Sequence, residues 1–145
     1  MNNKRGLTII EIIISLGLIA LIIGIGAPLY QNFYNKNNLN TAANSIAQNL
    51  KRAQALASAS DEDSNWGIYI QNGNIVIFKG LSYATRDFSC DEETKISEGI
   101  SLGGLNEIVF SKFSGFPQTT GSINLISPNN DAKTITINEK GIISH

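Results

Sequence analysis

The side chains that could carry out chemistry are few, and their spacing matches no catalytic motif. The chain of 145 residues has one histidine, His145, at its last position, and one cysteine, Cys90. A histidine-based triad or a zinc site is therefore not expected. There is no glycine-rich phosphate-binding loop followed by Lys-Ser/Thr, and a Cys-x-x-Cys motif cannot occur. The sequence thus predicts neither an enzyme nor a bound cofactor.

Two acidic clusters, 61–63 and 91–93, could supply the oxygen ligands that calcium prefers. Neither matches a defined calcium-binding loop, and such clusters are usually solvated loop residues, so no metal site is predicted. The single cysteine excludes an intramolecular disulfide. Cys90 is interpreted as an inert or intermolecular thiol rather than a reactive centre.

Glu11 is the acidic residue whose position demands a physical explanation. It precedes an uncharged, largely apolar run at 12–35, which as a helix would be about 36 Å long and could cross a hydrocarbon core of roughly 30 Å. Lys4 and Arg5 precede this apolar segment and would hold the N-terminal arm in the cytoplasm. A carboxylate at the edge of an apolar segment is costly and requires a partner.

The residues alone leave two simpler alternatives for this segment. It could be an ordinary signal anchor that is never cut, with one acidic residue near its end. It could also be a cleaved secretory signal, with small residues at 24–27 near the cut. Against cleavage there, Glu11 interrupts the start of the apolar region, and that region exceeds the usual length of about 7–15 residues.

The helical pattern continues beyond the apolar run, which predicts one long helix at 7–60. Pro28 would remove a backbone hydrogen bond and clash with the carbonyl of Gly24, so a kink is expected there. Apolar residues then recur at helical spacing from Leu39 to Ala57. The alternative is two helices with a break at 35–38, where four polar residues follow one another.

The rest of the chain has the pattern of antiparallel β structure. Alternation at 66–70 and an apolar run at 75–78 flank an Asn-Gly turn and predict a hairpin. Residues 81–99 are polar and are expected to be mostly loop. Further short strands are predicted at 100–102, 107–110, 122–126 and 133–138. The predicted fold class is α+β, with a long helix packed on an antiparallel sheet.

The order Lys4-Arg5-Gly6, Leu7 to Glu11 and then an apolar run containing Pro28 resembles the class III signal of type IV pilins and type II secretion pseudopilins. The resemblance implies that a prepilin peptidase cuts between Gly6 and Leu7 and methylates the new N-terminus at Leu7. Glu11 becomes the fifth mature residue and would pair with the Leu7 amine of a neighbouring subunit. Pro28 matches the helix-bending proline of the family. Leu7 departs from the usual phenylalanine.

The resemblance divides the chain into four segments. These are a leader at 1–6, a transmembrane and filament-core helix at 7–35, the amphipathic half of the helix at 36–60, and a β-rich globular domain at 61–145. The net charge of −1, from 11 basic and 12 acidic residues, becomes −3 when the two basic residues of the leader are removed. An acidic domain gives no electrostatic reason to expect nucleic acid as a partner.

A second set of residues is similar to the GspH/FimT-type minor pseudopilins: a strand ending at Phe110, a glycine at Gly115, and a last hairpin closed by Gly141. This resemblance implies a minor subunit of a type II secretion pseudopilus or type IV pilus, near the filament tip. The implied partners are prepilin peptidase, other pilins, the inner-membrane assembly platform and membrane lipid. The implied location is the inner membrane, with the C-terminal domain outside the cytoplasm, and then the filament in the periplasm or at the cell surface.

Two other functions remain open from the sequence. Some FimT-type pilins are DNA-uptake receptors with a basic tail, but the tail at 138–145 carries one lysine and one glutamate. An uncleaved, membrane-anchored envelope protein is the other alternative. The N-terminal signal does not separate a secretion pseudopilus from a type IV or competence pilus, because the anchor is common to all three.

Overall fold

A computed structural model describes residues 8–144, without the side chains of residues 25–29. It groups the chain into two compact units, residues 1–34 and 35–145. One helix, α1, runs from Ile9 to Ser58 without interruption. The two-helix alternative with a break at 35–38 is therefore wrong. The predicted kink at Pro28 falls among the residues whose side chains are not described.

The described aliphatic side chains of the first unit are not buried. Its large aliphatic side chains between Ile9 and Ile23 are all exposed, with exposed fractions of 47–79%. The rings of Tyr30 and Tyr34 stack with their centroids 6.5 Å apart. Within the residues that the structure describes, no helix meets the combined length and hydropathy expected of a membrane span.

The second unit contains the last part of α1 and eight antiparallel strands in two sheets. The first sheet has the order β3-β2-β1-β5 and the second has the order β4-β6-β7-β8. The strands are β1 (Trp66–Gln71), β2 (Asn74–Lys79), β3 (Asp87–Lys95), β4 (Ser101–Gly104), β5 (Glu107–Phe110), β6 (Gly121–Ile126), β7 (Ala132–Ile137) and β8 (Ile143–Ser144). Short 3-10 turns lie at Asp61–Asp63 and Tyr83–Thr85.

The core forms where the second half of α1 packs on the inner faces of both sheets. The helix contributes Leu39, Ile46 and Leu50, each at most 2% exposed, together with five buried alanines, four of which belong to the core cluster. Small alanine side chains leave room for strand residues to approach the helix backbone, as close packing requires. The buried residues alternate along β6 and β7 as the pleat dictates, whereas β1 and β2 are buried on both faces. This arrangement confirms the predicted α+β fold.

The segment 81–99 differs most from expectation, because it contains the nine-residue strand β3 instead of mostly loop. Its sequence lacks an apolar alternation, since its side chains bond polar groups on both faces. On the helix side, Glu92 bonds Arg52 and Thr94 bonds Asn49. These partners lie 40 or more residues away along the chain, so the local sequence pattern contains no sign of them.

The connection between β2 and β3 covers the outer face of the first sheet. Its Tyr83 ring stacks on Tyr69 with centroids 4.0 Å apart and meets the edge of the buried Phe78 ring. Gly67 faces the same side, and a Cβ there would lie 2.7 Å from Phe78 and 2.8 Å from a backbone oxygen. The absence of a side chain at Gly67 therefore leaves the space that the Phe78 ring occupies beside β1.

Candidate functional site

The predicted cleavage residues, Gly6 and Leu7, lie outside the described residues. Glu11 lies in the first turn of α1. Its main chain is bonded: its N–H donates to the Thr8 carbonyl at 3.1 Å, and its carbonyl accepts from the Ser15 hydroxyl at 2.7 Å. Its carboxylate has no hydrogen bond or ion pair within the part of the chain that the structure describes. The carboxylate is therefore available to a group from elsewhere.

The same part of α1 carries a continuous exposed apolar surface. Fully burying one such Ile or Leu side chain contributes about 1.5–3 kcal/mol relative to leaving it in water. The eleven side chains are Ile9, Ile10, Ile12, Ile13, Ile14, Leu16, Leu18, Ile19, Leu21, Ile22 and Ile23. Only an apolar environment, from lipid chains or other helices, could accommodate this surface without a large hydration cost.

The first acidic cluster forms the turn after α1, where two of its three carboxylates are paired with lysines. Lys79 donates to Glu62, and this hydrogen bond is the main reason why the pKa of Glu62 is lowered. Lys112 donates to Asp63 at 3.0 Å. The carbonyl of Asp61 accepts from the Trp66 indole at 3.0 Å. The cluster therefore joins the helix end to both β2 and the loop after β5.

The second acidic cluster is divided between the two faces of β3. Arg86 donates to Asp91 at 2.8 Å, and both side chains are mostly buried. Arg52 makes two bonds of 2.7 Å to Glu92 and lowers the pKa of that carboxyl, mainly through the hydrogen bond. Glu93 accepts from Asn74 at 3.3 Å. Among residues 8–144, no three His, Cys, Asp or Glu side chains lie close enough to hold a metal ion.

Cys90 is a half-buried free thiol on β3. Its sulfur donates to Glu62 Oε2 over 3.6 Å and lies 3.8 Å from the Ser89 hydroxyl. Glu62 is already bonded to Lys79, so the thiol joins an existing surface network. The Lys79 ammonium interacts electrostatically with this thiol.

The two glycines behind the GspH/FimT resemblance both lie against the C-terminal end of α1. Gly115 has φ 63° and Gly141 has φ 73°, in the left-handed region that favours glycine. A Cβ on Gly115 would overlap the Ser58 hydroxyl, and one on Gly141 would overlap the Gln54 amide. Gln54 also donates to the Gly115 carbonyl at 3.1 Å. These glycines therefore let two loops close onto the helix.

Sequence reasoning missed one feature of the loop around Gly115. Phe113 and Phe116 are 69% and 54% exposed, although large aromatic side chains usually contribute to a core. The available signal was their position among Ser, Lys, Gly and Pro residues, which indicates a surface loop. The predicted tail residues Glu139 and Lys140 are exposed in the turn before β8, and His145 lies outside the described residues.

Comparisons with known proteins agree with this architecture. No protein-family model matches the chain. A solved structure of the minor pseudopilin EpsH from the type II secretion system of Vibrio cholerae superposes with a TM-score of 0.55 at 17% identity, over 74% of this chain and 94% of that one. A second EpsH structure gives 0.54 at 16% identity, over 75% and 93%.

One curated relative matches a shorter stretch of sequence. Prepilin peptidase-dependent protein D of Escherichia coli K12 is 44% identical over 36 residues. This match spans 25% of the chain and a quarter of the length of that relative. The resemblance to type IV pilins and type II secretion pseudopilins is therefore confirmed: the chain has the fold of a minor pseudopilin and shares a segment with a prepilin peptidase-dependent protein.

Proposed function

We propose that this chain is a minor pilin-like subunit of a type II secretion pseudopilus or type IV pilus. A prepilin peptidase cuts it between Gly6 and Leu7 and methylates Leu7, and its N-terminal helix then enters a helical filament near the tip. Its role is structural rather than catalytic. The observation that carries the proposal is the exposed apolar surface of α1 between Ile9 and Ile23, with a Glu11 carboxylate that has no partner among the described residues, in a chain whose fold is that of EpsH.

The exposed apolar residues of α1 have two successive environments in this proposal. Before assembly they contact the lipid of the inner membrane, with residues 61–145 outside the cytoplasm. On assembly they pack against the equivalent helices of neighbouring subunits, which replaces lipid contacts by side-chain packing. The inner-membrane assembly platform and other pilins are the partners that this transfer requires.

Glu11 sets the axial position of the subunit during this transfer. Cleavage leaves an α-amino group on Leu7, whose reference pKa of about 7.7–8.0 keeps it mostly protonated at neutral pH. The amine of one subunit pairs with the Glu11 carboxylate of the next, so that two charges that are costly in lipid neutralise each other. The free state of the carboxylate in the described chain supports this role.

Intact mass of the full chain purified from cells with and without a prepilin peptidase tests the processing step. The peptidase should remove residues 1–6 and add one methyl group to Leu7, and the full-length mass should persist without it. A full-length mass in both strains would mean an uncleaved anchor. A new start near Ala27 would mean an ordinary secreted protein, and either result rejects the proposal.

The same cells test the role of Glu11. Glu11→Gln keeps the shape of the side chain and removes its charge, so the variant should be cut normally but should be lost from sheared filament fractions. Ser15→Ala, one helical turn further on, removes only the hydrogen bond to the Glu11 carbonyl and should enter filaments like the wild type. Normal incorporation of the Glu11 variant would rule out charge pairing.

A further inference from the structure

A pocket within the second unit is lined mainly by polar side chains. Part of the lining comes from Asn38, Thr41 and Ser45 of α1, which follow one another at intervals of three and four residues and therefore lie on one face of the helix. The rest comes from Lys95, the last residue of β3, and from the segment after it, including Ser97. The pocket has a volume of about 190 Å³.

Two apolar residues complete the lining and tie the pocket to the core. Ala42 is 2% exposed and belongs to the core cluster, and Ile96 is partly buried and packs against that cluster. A small side chain at position 42 leaves space between the helix and the end of β3 that a larger one would fill. The pocket thus combines apolar contacts with a few polar groups, as small-ligand sites do.

The helix hydroxyls of the pocket differ from others on α1. Ser15 and Ser58 donate to the carbonyl four residues earlier, at 2.7 Å and 2.8 Å. This bond is a common way for a hydroxyl to be satisfied within a helix. Thr41 and Ser45 make no such bond, and their hydroxyls have no other hydrogen bond within the part of the chain that the structure describes. Both hydroxyls are therefore available to a ligand.

The remaining polar groups of the lining are available as well. Among residues 8–144, the side chains of Asn38 and Ser97 make no hydrogen bond, and the Lys95 ammonium has no ion pair. Lys95 is exposed, whereas four other basic side chains of this unit are paired with carboxylates. The pocket thus presents one unpaired positive charge beside three hydroxyls and one amide.

The lining residues include no carboxylate to neutralise this charge. The acidic residues nearest along the chain have other contacts: Glu93 accepts from the Asn74 amide at 3.3 Å, and the Glu98 side chain lies against Gly73. On the helix side, α1 has no acidic residue after Glu11. The local charge therefore favours an anion.

The donors and the size of the pocket indicate which anion fits. Phosphate oxygens accept hydrogen bonds from ammonium, hydroxyl and amide groups alike. A metal cation would find no carboxylate here, and a wholly apolar ligand would leave the hydroxyls and the amide without partners. Pockets for drug-sized ligands have volumes of roughly 300–1,000 Å³, so this smaller one suits a phosphate group with a short polar substituent.

We propose that this pocket binds a phosphate group, with Lys95 as its charge partner and Thr41 and Ser45 as hydrogen-bond donors. A soluble phosphate and the head group of an anionic phospholipid offer the same chemistry. The lipid source rests on the proposed function, because the segment 7–35 that is proposed to lie in the membrane ends three residues before Asn38. Tethering to a membrane supplies an effective concentration on the order of mM, which a site with a single lysine requires.

Nuclear magnetic resonance of the isotope-labelled full chain in an uncharged detergent tests the site with inorganic phosphate. The amide signals of residues 41–45 and 95–97 should shift and saturate. Lys95→Gln should raise the apparent Kd at least about tenfold, the loss expected for one charge-assisted hydrogen bond. Its thermal unfolding should not change, because Lys95 is exposed and unpaired. The matched control is Lys140→Gln, which removes the charge of another exposed lysine and should leave the Kd unchanged.

The lipid source is tested with the same labelled chain in two kinds of lipid nanodisc. One contains phosphatidylcholine alone, and the other also contains phosphatidylglycerol. Shifts of the same amides that require phosphatidylglycerol, and that Lys95→Gln abolishes, identify a lipid head group as the ligand. A response to inorganic phosphate alone, also lost in Lys95→Gln, identifies a soluble phosphate.

Two results would overturn the phosphate site. One is the absence of any shift of these amides with both probes. The other is a shift that persists unchanged in Lys95→Gln. Neither arm requires cleavage after Gly6, so a chain that intact mass shows to be unprocessed would reject the proposed function and leave a response to inorganic phosphate standing.

Discussion

Leu50→Ala should weaken the packing of α1 on the two sheets more than any change on the solvent face of the helix. Leu50 is fully buried in the core. Replacing a buried leucine by alanine removes its transfer free energy and leaves a cavity, which together cost about 2.7–5 kcal/mol. Against a total stability of about 5–15 kcal/mol, that loss is large. For a unit of this size it corresponds to a fall in Tm of roughly 10–20 °C.

The single tryptophan provides the assay, because Trp66 is 5% exposed and belongs to the same core. Its fluorescence in the full chain, held in mild detergent, should report urea unfolding of the second unit. The matched control is Lys51→Ala, at the next position on the exposed face, which should change stability by less than about 0.5 kcal/mol. If the two variants had equal midpoints, the helix would not be packed on the sheets as described.

Two further predictions concern the helix end and the ion pair between α1 and β3. Gly115→Ala should cost about 1–3 kcal/mol of stability in the same assay, because alanine is strained at positive φ and its Cβ would overlap Ser58. The control is Gly103→Ala, which should be nearly neutral because its Cβ would meet its nearest neighbour at 4.0 Å. Equal losses of stability in the two variants would contradict this reasoning. The pKa of Glu92 is lowered in the folded state. The contribution of its carboxylate to stability is therefore complete above the unfolded-state pKa and is lost as the pH falls through the folded-state pKa. The midpoint of Glu92→Gln should thus fall less steeply than that of the wild type on acidification below about pH 5, whereas parallel curves would show that the pair with Arg52 contributes nothing.

The helix and the first hairpin could be predicted because their signals are local. The recurrence from Leu39 to Ala57 has the period of a helix, and the Asn-Gly turn at 72–73 selects a hairpin; both elements are observed. β3 could not be predicted in the same way. Its Glu92 and Asp91 are paired with Arg52 and Arg86, and Arg52 lies 40 residues away from Glu92 along the chain, where no window of local sequence reveals it.

The candidate site likewise combines a residue that the sequence could identify with contacts that it could not. Glu11 could be singled out from its type and its place in an apolar run. Only the coordinates show that the Glu11 carboxylate is unpaired in the described chain. They also show that four other carboxylates have cationic partners, namely Glu62, Asp63, Asp91 and Glu92. The acidic clusters looked alike in the sequence, and pairing alone showed them to be connections between elements.

The sequence by itself determined the period of each regular element, the order of basic pair, glycine, glutamate and proline near the N-terminus, and the absence of a second cysteine. These properties depend on residue types at short spacing, and short spacing is all that a helix or a strand requires. Only the tertiary structure decided that β3 is a strand and which charges of α1 and β3 are paired. Those features depend on side chains that are distant in sequence and meet only after the helix has packed on both sheets.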